Sequence, residues 1–468
     1  MKVPFERSDK FMRILMRAQM QHDKAFNPHE VLLKNLMGGN IGNWLYQYSL
    51  FRALMTDENT AIDIFNPTKQ TVDAEFIEKV NSEYDVFVLP LANAFKVSFI
   101  KEMKSLTKFL NGLTIPCVVP GVGIQAKTGV NFAEAYEYTE ESKAFIKAIL
   151  NKSNIIGVRG EATGEFFKAL GFREEEDFTV IGCPSLYTFG LHLPEVKPLS
   201  YSENSKLLFN SKVEHENKKI IAALKSLTSQ HPNYYYAPQR LQDMLSCFYG
   251  ADYRIESTQK EKVRFFDKDK AVIFTSPYQW INFAHENIDF SIGTRLHGNV
   301  ASVLGGVPSF IMATDQRVSE LAAYHNIACV PVSSVTPETK LTDIIEKNDF
   351  TLVHKGHEER FNRFVDFLEK NNLQTAYSGD RSVERVYFDS VLESLDFSDN
   401  LFAFGAVPVE EKLERVQKVA SFYADKALSL QDKLDTEKEM HKEQYLNKTL
   451  RQTYNDIIKT KGFKGLFE

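Results

Sequence analysis

Two α/β halves, each a parallel sheet covered by helices, followed by a helical extension: this is the architecture the sequence predicts. Three observations carry it. Short apolar, β-rich runs alternate with helix-patterned stretches through most of the chain, the mark of a parallel sheet between helix layers. A Pro- and Ser-rich segment, LHLPEVKPLSYSENS (191–205), splits that alternation into two series and reads as a linker. From about residue 411 the chain is charged and nearly free of Gly and Pro, and its apolar residues fall at heptad spacing.

In chain order, the N-terminal MKVPFERSDKFMRILMRAQMQH is charged throughout. Phe11, Ile14, Leu15 and Ala18 sit at helical spacing, so residues 1–29 are expected to form a helical segment docked on the body, with contact at a membrane surface as the sharper alternative. The first α/β half is expected over 30–195. Its strand runs are DVFVLP (85–90), IPCVVPGVG (115–123), NIIGVRG (154–160) and FTVIGCPS (178–185), with helical patterns at 135–153 and 160–172. These runs are apolar on both faces, as buried parallel strands are. The second half, 196–400, repeats the scheme with KLLFNSK (206–212), NYYYAPQ (233–239), KAVIFTSP (270–277), IDFSIGTR (288–295), VPSFIMA (307–313) and IACVPVS (327–333). The extension, 401–468, places Leu413, Val416, Ala420, Tyr423, Ala427, Leu430 and Leu434 at a 3-4 spacing, the lower limit for a coiled coil. The tail TKGFKGLFE mixes Lys with Phe and Leu.

Bulk properties exclude several function classes. A chain of 468 residues holds two or three domains. A net charge of -6 argues against a general nucleic-acid binder, while leaving room for a local basic site. Four scattered cysteines without a C-x-x-C pair fit a reducing compartment and no structural zinc. The absence of a long apolar run or a signal-peptide core places the chain in the cytoplasm.

Polar residues gather where strands end, the place where ligands sit in such sheets. In SIGTRLHGN, Arg295 and His297 fall two apart at the end of a strand and point the same way if it continues. Gly298 lets a ligand or a backbone approach, and the following segment offers a helix N-terminus. Arg presents a fork of donors to carboxylate or phosphate, and His exchanges a proton near neutral pH. In TDQRVSEL, Asp315 and Arg317 follow the next strand; the plainer reading makes Asp315 an N-cap and pairs Arg317 with Glu320. In the first half, GGNIGNWLYQYSLFRAL (38–54) is a Gly-rich turn before a helix, but neither nucleotide-binding glycine pattern fits, so no nicotinamide site follows even with Asp63 some twenty residues on. PGVGIQ ends a strand at Gln125, GVRGEAT places Arg159 at a strand end, and GCPSL ends a strand at Ser185. Cys183 reads as a small buried residue, since a nucleophile needs a base nearby. The acidic DKD (267–269) precedes a strand and is expected to be a solvated turn; no metal site is expected.

These motifs, GGNIGNWLYQYS, PGVGIQ, GVRGEAT, GCPSL, GTRLHG and TDQRVSEL, occur in the order found in the polysaccharide pyruvyl transferase family. The chain resembles that family over roughly residues 30–335. The resemblance implies a GT-B-like fold, two Rossmann-like domains facing a cleft. It implies transfer of a pyruvyl unit from phosphoenolpyruvate to a sugar, leaving a ketal on two hydroxyls, in cell-surface or exopolysaccharide biosynthesis. The family's donor-site Arg and His match Arg295 and His297. On that reading His297 is the general acid at the vinyl carbon, Arg295 stabilises the leaving phosphate, and Arg159 is a second anion contact. Gly298, Asp315 and Arg317 complete the donor side. Gly39, Asn40, Gly42, Asn43, Gln125 and Ser185 line the acceptor side, although Asn43 stands where many members carry Asp. No cofactor beyond the donor is implied; the acceptor is a sugar or a lipid-linked oligosaccharide, with peripheral membrane contact as a further expectation. The extension lies outside the match and is expected to pair subunits or dock a glycan-assembly partner. Two rivals stand: a GT-B glycosyltransferase using a nucleotide sugar, and a non-catalytic scaffold.

Overall fold

The computed structural model describes residues 11–67, 69–125, 139–211, 218–250, 267–399 and 401–460. The chain falls into two units, Met1–Val407 and Pro408–Glu468. The first unit contains both α/β halves.

The first half is a parallel sheet. Strands β1 (Met12–Arg17), β2 (Thr60–Phe65), β3 (Val86–Val88) and β4 (Cys117–Val118) lie in the order β2-β1-β3-β4. β5 (Ile156–Val158) and β6 (Phe178–Val180) pair beside them, joined to the β4 side by the Val122–Val158 bridge. Residues 12–17 are therefore a central strand rather than the helix expected for 1–29. The run Ile14-Leu15-Met16 is buried on both faces between β2 and β3. A short apolar run with basic flanks fits either period, and burial between two parallel neighbours decides it. Residues 1–10 lie outside the described residues, as do 135–138 of the helix expected at 135–153; its remainder forms a helix over Thr139–Leu150. The core of this half is aromatic. Phe65, Phe87 and Phe109 pack with ring centroids 5.3–5.8 Å apart, and Phe95 meets Phe166 and Phe167 at 5.4 Å. Each buried Phe contributes about 1.5–3 kcal/mol.

The second half repeats the scheme. β7 (Leu207–Phe209), β8 (Tyr234–Tyr236), β10 (Phe290–Gly293), β11 (Ser309–Ala313) and β12 (Cys329–Pro331) form a parallel sheet ordered β12-β11-β10-β7-β8. β9 (Val272–Ile273) continues it through the Tyr236–Ala271 bridge and pairs antiparallel with β13 (Leu401–Phe402). The order is that of a Rossmann sheet, and the two halves together are GT-B-like. Strand order reverses between β1 and β3 in one half and between β7 and β10 in the other, so each half has a crevice beyond those carboxyl ends.

Two boundaries differ from expectation. Residues 357–393 return to the first half instead of staying with the second. Asn371 Oδ1 accepts from Ser153 Oγ and from the backbone N–H of Asn154, both at 2.9 Å, and Phe388 packs on Tyr48 and Phe51. Leu401 and Phe402 pair with β9 and a short 3-10 turn follows at Phe404–Ala406, so the extension starts later, as one helix over Val409–Thr460. That helix exposes Leu413, Val416, Tyr423, Leu430 and Leu434 of the heptad stripe. The tail residues 461–468 lie outside the described residues. No helix among the described residues is long and apolar enough to cross a membrane.

Candidate active site

The site is built from four strand ends and one buried helix. Helix Gly42–Leu54 has every residue but Asn43 buried, so its apolar and aromatic residues fall on all sides and its polar Gln47, Ser49 and Arg52 are buried with them. It packs on the turn Pro184–Tyr187, where Ser49 Oγ donates to the Pro184 carbonyl at 2.5 Å. It also meets helix Leu296–Leu304 of the second half. At that crossing a Cβ on Gly42 would lie 3.1 Å from His297 Cβ and 3.3 Å from Gln239 Oε1. Glycine is needed there for close approach.

β10 ends at Gly293 and the chain turns at Arg295, whose N–H donates to the Asn210 carbonyl beyond β7 at 2.8 Å. The turn thus sits on the switch point of the second sheet. Arg295 is the N-cap residue of helix Leu296–Leu304, and His297 lies in its first turn, partly open to the cleft. From the first half, Arg159 follows β5. It is 2% exposed, its Nε donates to the Gly121 carbonyl at 2.5 Å, and its guanidinium lies 4.9 Å over the Tyr46 ring. Its Nη1 and Nη2 have no hydrogen-bond partner among the described residues, and neither do Arg295 Nε and Arg317 Nε. Buried guanidinium groups without acceptors are costly unless an anion completes them.

The electrostatics follow. Burial, then Arg159, Arg317 and Arg295 in turn, hold His297 well below the ordinary imidazole range, which favours the neutral ring. Burial lowers Arg295 to about 10, helped by Arg240 and opposed by Tyr236 and Asp243. Burial keeps the Tyr46 phenol protonated against the pull of Arg159 and Arg17. Lys96 is lowered by burial and by Arg317. Arg159, Arg295, Arg317 and His297 therefore share one field, drawn from both halves.

Other expected residues stand elsewhere. Gly298 does not open toward a ligand: a Cβ there would meet Gln239 Nε2 at 2.3 Å and Asn210 Oδ1 at 2.4 Å, so it serves the packing of that turn. Asp315 is spent as the N-cap of helix Gln316–Tyr324, accepting from Val318 N at 3.1 Å, with Arg317 at 3.5 Å. Glu320 does not pair with Arg317; it reaches the first half and accepts from Ala162 N at 2.5 Å. Ser185 is fully buried, its hydroxyl 3.0 Å from Cys183 Sγ, and is closed to a ligand. Asn40 Oδ1 accepts from Gly42 N, and Asn40 bridges to Arg240, so this turn spans the two halves. Gly39 adopts φ +91 with open space around it, Asn43 is partly exposed, and exposed Gln125 accepts from Asn93 Nδ2 at 3.0 Å. Asp63 lies on β2, held by Arg13 and the Tyr84 hydroxyl. Asp267 caps the short 3-10 turn of the DKD run.

Sequence reading missed Tyr46, Asn210, Gln239, Arg240 and Lys96. Asn210 and Gln239 do follow apolar strand runs, a signal available in the sequence. Cys183 gains the partner that spacing could not supply: its Sγ lies 3.6 Å from His297 Nε2, across 114 residues of chain.

Among solved structures, similar folds include a UDP-GlcNAc 2-epimerase from Methanocaldococcus jannaschii in complex with UDP-GlcNAc and UDP. It is 10% identical, with 76% of this chain and 99% of that one covered and a TM-score of 0.42. Another is the UDP-GlcNAc 2-epimerase from Neisseria meningitidis bound to UDP-GlcNAc, 11% identical, with 77% and 100% covered and a TM-score of 0.40. No curated protein matches the chain by sequence. The family model described as polysaccharide pyruvyl transferase matches residues 93–316, a span that holds Arg159, Cys183, Arg295 and His297. Over that region the chain is similar to the polysaccharide pyruvyl transferase family.

Proposed function

We propose that the protein transfers a pyruvyl group from phosphoenolpyruvate to two hydroxyls of a saccharide, forming a ketal and releasing phosphate. The observation that carries this reading is the set of three guanidinium groups around His297, with Arg159 Nη1 and Nη2 buried and lacking acceptors. A small ligand bearing both a phosphate and a carboxylate matches such a set, because Arg forks bind either group. The bonds balance as follows. A proton adds to the CH2 carbon of the donor, and one acceptor oxygen bonds to the adjacent carbon. The bond from that carbon to the phosphate oxygen then breaks, and the second acceptor oxygen takes its place. The two hydroxyl protons account for the new methyl hydrogen and for the proton released with phosphate.

In this scheme the guanidinium groups stabilise charge on the departing phosphate, and His297 handles the proton. The lowered pKa of its ring suits it first to receive a proton. An anion seated among Arg159, Arg295 and Arg317 offsets the field that depresses it, and the ring can then hold a proton for delivery to carbon. Gly39, Asn40, Asn43 and Gln125 remain the proposed acceptor side, with a sugar or a lipid-linked oligosaccharide as acceptor.

The test is calorimetric titration of phosphoenolpyruvate into the wild-type protein and Arg159→Met. Binding is expected in the wild type, and at least tenfold weaker in the variant, about 1.4 kcal/mol or more. A wild-type protein that ignores phosphoenolpyruvate and binds a nucleotide sugar would move the glycosyltransferase reading ahead. One that binds neither would favour the scaffold.

A further inference from the structure

Helix Glu161–Ala169 begins one residue after Gly160, its N-cap, which supplies no side-chain hydrogen bond. The first N–H groups of such a helix need acceptors. Glu320 supplies one from the other half: its Oε1 accepts from Ala162 N at 2.5 Å, and the neighbouring Thr163 N–H also favours its charged form. The carboxylate fills the space over Gly160 so fully that a Cβ there would lie 2.2 Å from Oε1 and 2.5 Å from Cδ. Gly160 has extended backbone, φ -176, that any residue adopts, so its smallness answers to Glu320 and not to the turn. A negative charge at a helix N-terminus is also favoured by the dipole.

The placement matters because of what lies on either side. Arg159 immediately precedes Gly160, and Arg317 lies three residues before Glu320 on helix Gln316–Tyr324. Arg159 and Arg317 come from opposite halves, and the charge of each lowers His297. Without a donor, two like charges across a cleft repel. We propose that Glu320 is a positioning residue: its carboxylate caps helix Glu161–Ala169 across the cleft and so fixes Arg159 against Arg317 in the geometry that grips the donor. The inference rests on the donor reading above. Arg159 is thereby held on two sides, by Gly121 at its Nε and by Glu320 at the start of the helix that follows it.

The experiment uses the full chain as wild type, E320A, E320Q, G160A and the double variant G160A/E320A. Two quantities are read: phosphoenolpyruvate binding by calorimetry, and amide exchange of Ala162 and Thr163 without ligand. E320A is expected to weaken binding roughly three- to tenfold, the range of a lost cap, and to speed exchange at both amides. E320Q keeps a carbonyl oxygen and should recover part of both effects. G160A should reproduce E320A by displacing the carboxylate, and should add nothing in the E320A background. Unchanged exchange or unchanged affinity in folded E320A would overturn the proposal, as would additive effects in the double variant. Should E320A fail to fold, E320Q and G160A decide it by the same two readouts. If phosphoenolpyruvate does not bind the wild type, the donor reading falls, and the exchange rates alone decide whether Glu320 holds the turn.

Discussion

At the scale of single residues, the telling feature is a histidine made neutral by its company. Burial and three guanidinium groups depress His297, and the ligand proposed for the site carries the charge that would relieve it. Donor binding is therefore expected to be coupled to proton uptake at His297 near pH 7. Calorimetry in two buffers of different ionisation enthalpy should show an uptake of up to one proton with phosphoenolpyruvate. His297→Gln should abolish that uptake while keeping most of the affinity, because the guanidinium forks remain. Equal uptake in the variant would remove His297 from the proton-carrying role and leave it a packing residue beside Cys183 and Tyr46.

Among elements, the return of residues 357–393 to the first half is held in part by one buried side chain. Arg52, in helix Gly42–Leu54, uses all five of its donors. Nε and Nη2 grip Asp389 at 2.7 Å each, Nη2 also donates to the Glu384 carbonyl, and Nη1 donates to the Thr188 carbonyl and the Tyr377 hydroxyl. Removing one member of such a pair strands the other in low dielectric and costs about 3–5 kcal/mol. Asp389→Ala and Arg52→Ala should each lower the unfolding midpoint strongly, while the double variant loses less than the sum of the two. Additive losses would mean that Arg52 acts through its backbone acceptors and not through Asp389.

The same elements show what the sequence could reveal. The strand ends carrying Arg159, Arg295 and Arg317 were legible because a polar residue after an apolar run stands out, and parallel topology puts such residues on one rim. The N-terminal strand was not legible: Ile14-Leu15-Met16 satisfies a helical and a buried-strand pattern equally, and only its two neighbours decide. Nor could local pattern show that Glu320 caps a helix 158 residues away, or that Cys183 meets His297. Those contacts depend on how the halves close, and the sequence spacing of Arg317 and Glu320 pointed to pairing within one helix instead.

For the molecule as a whole, burial of neutral imidazoles sets a response to acid. His22 is lowered to about 3 and His357 to about 4, both chiefly by burial, and His297 and His325 lie well below the ordinary value for the same leading reason. An unfolded chain binds these protons at about pH 6.5, whereas the folded chain does not until the pH is much lower. The unfolded state therefore holds more protons as the pH falls, so stability is full above pH 6.5 and declines below it. Each histidine contributes a slope of about 1.4 kcal/mol per pH unit once its unfolded form is charged. The unfolding midpoint should thus be level from pH 8 to 7 and fall steeply from 6.5 toward 5, before most carboxylates titrate. Replacing His22 and His357 together by Gln should halve the part of that slope that these four rings contribute, whatever it does to the starting stability. A midpoint that holds steady down to pH 5 would mean that these rings are protonated in the fold and that the guanidinium cluster does not keep His297 neutral.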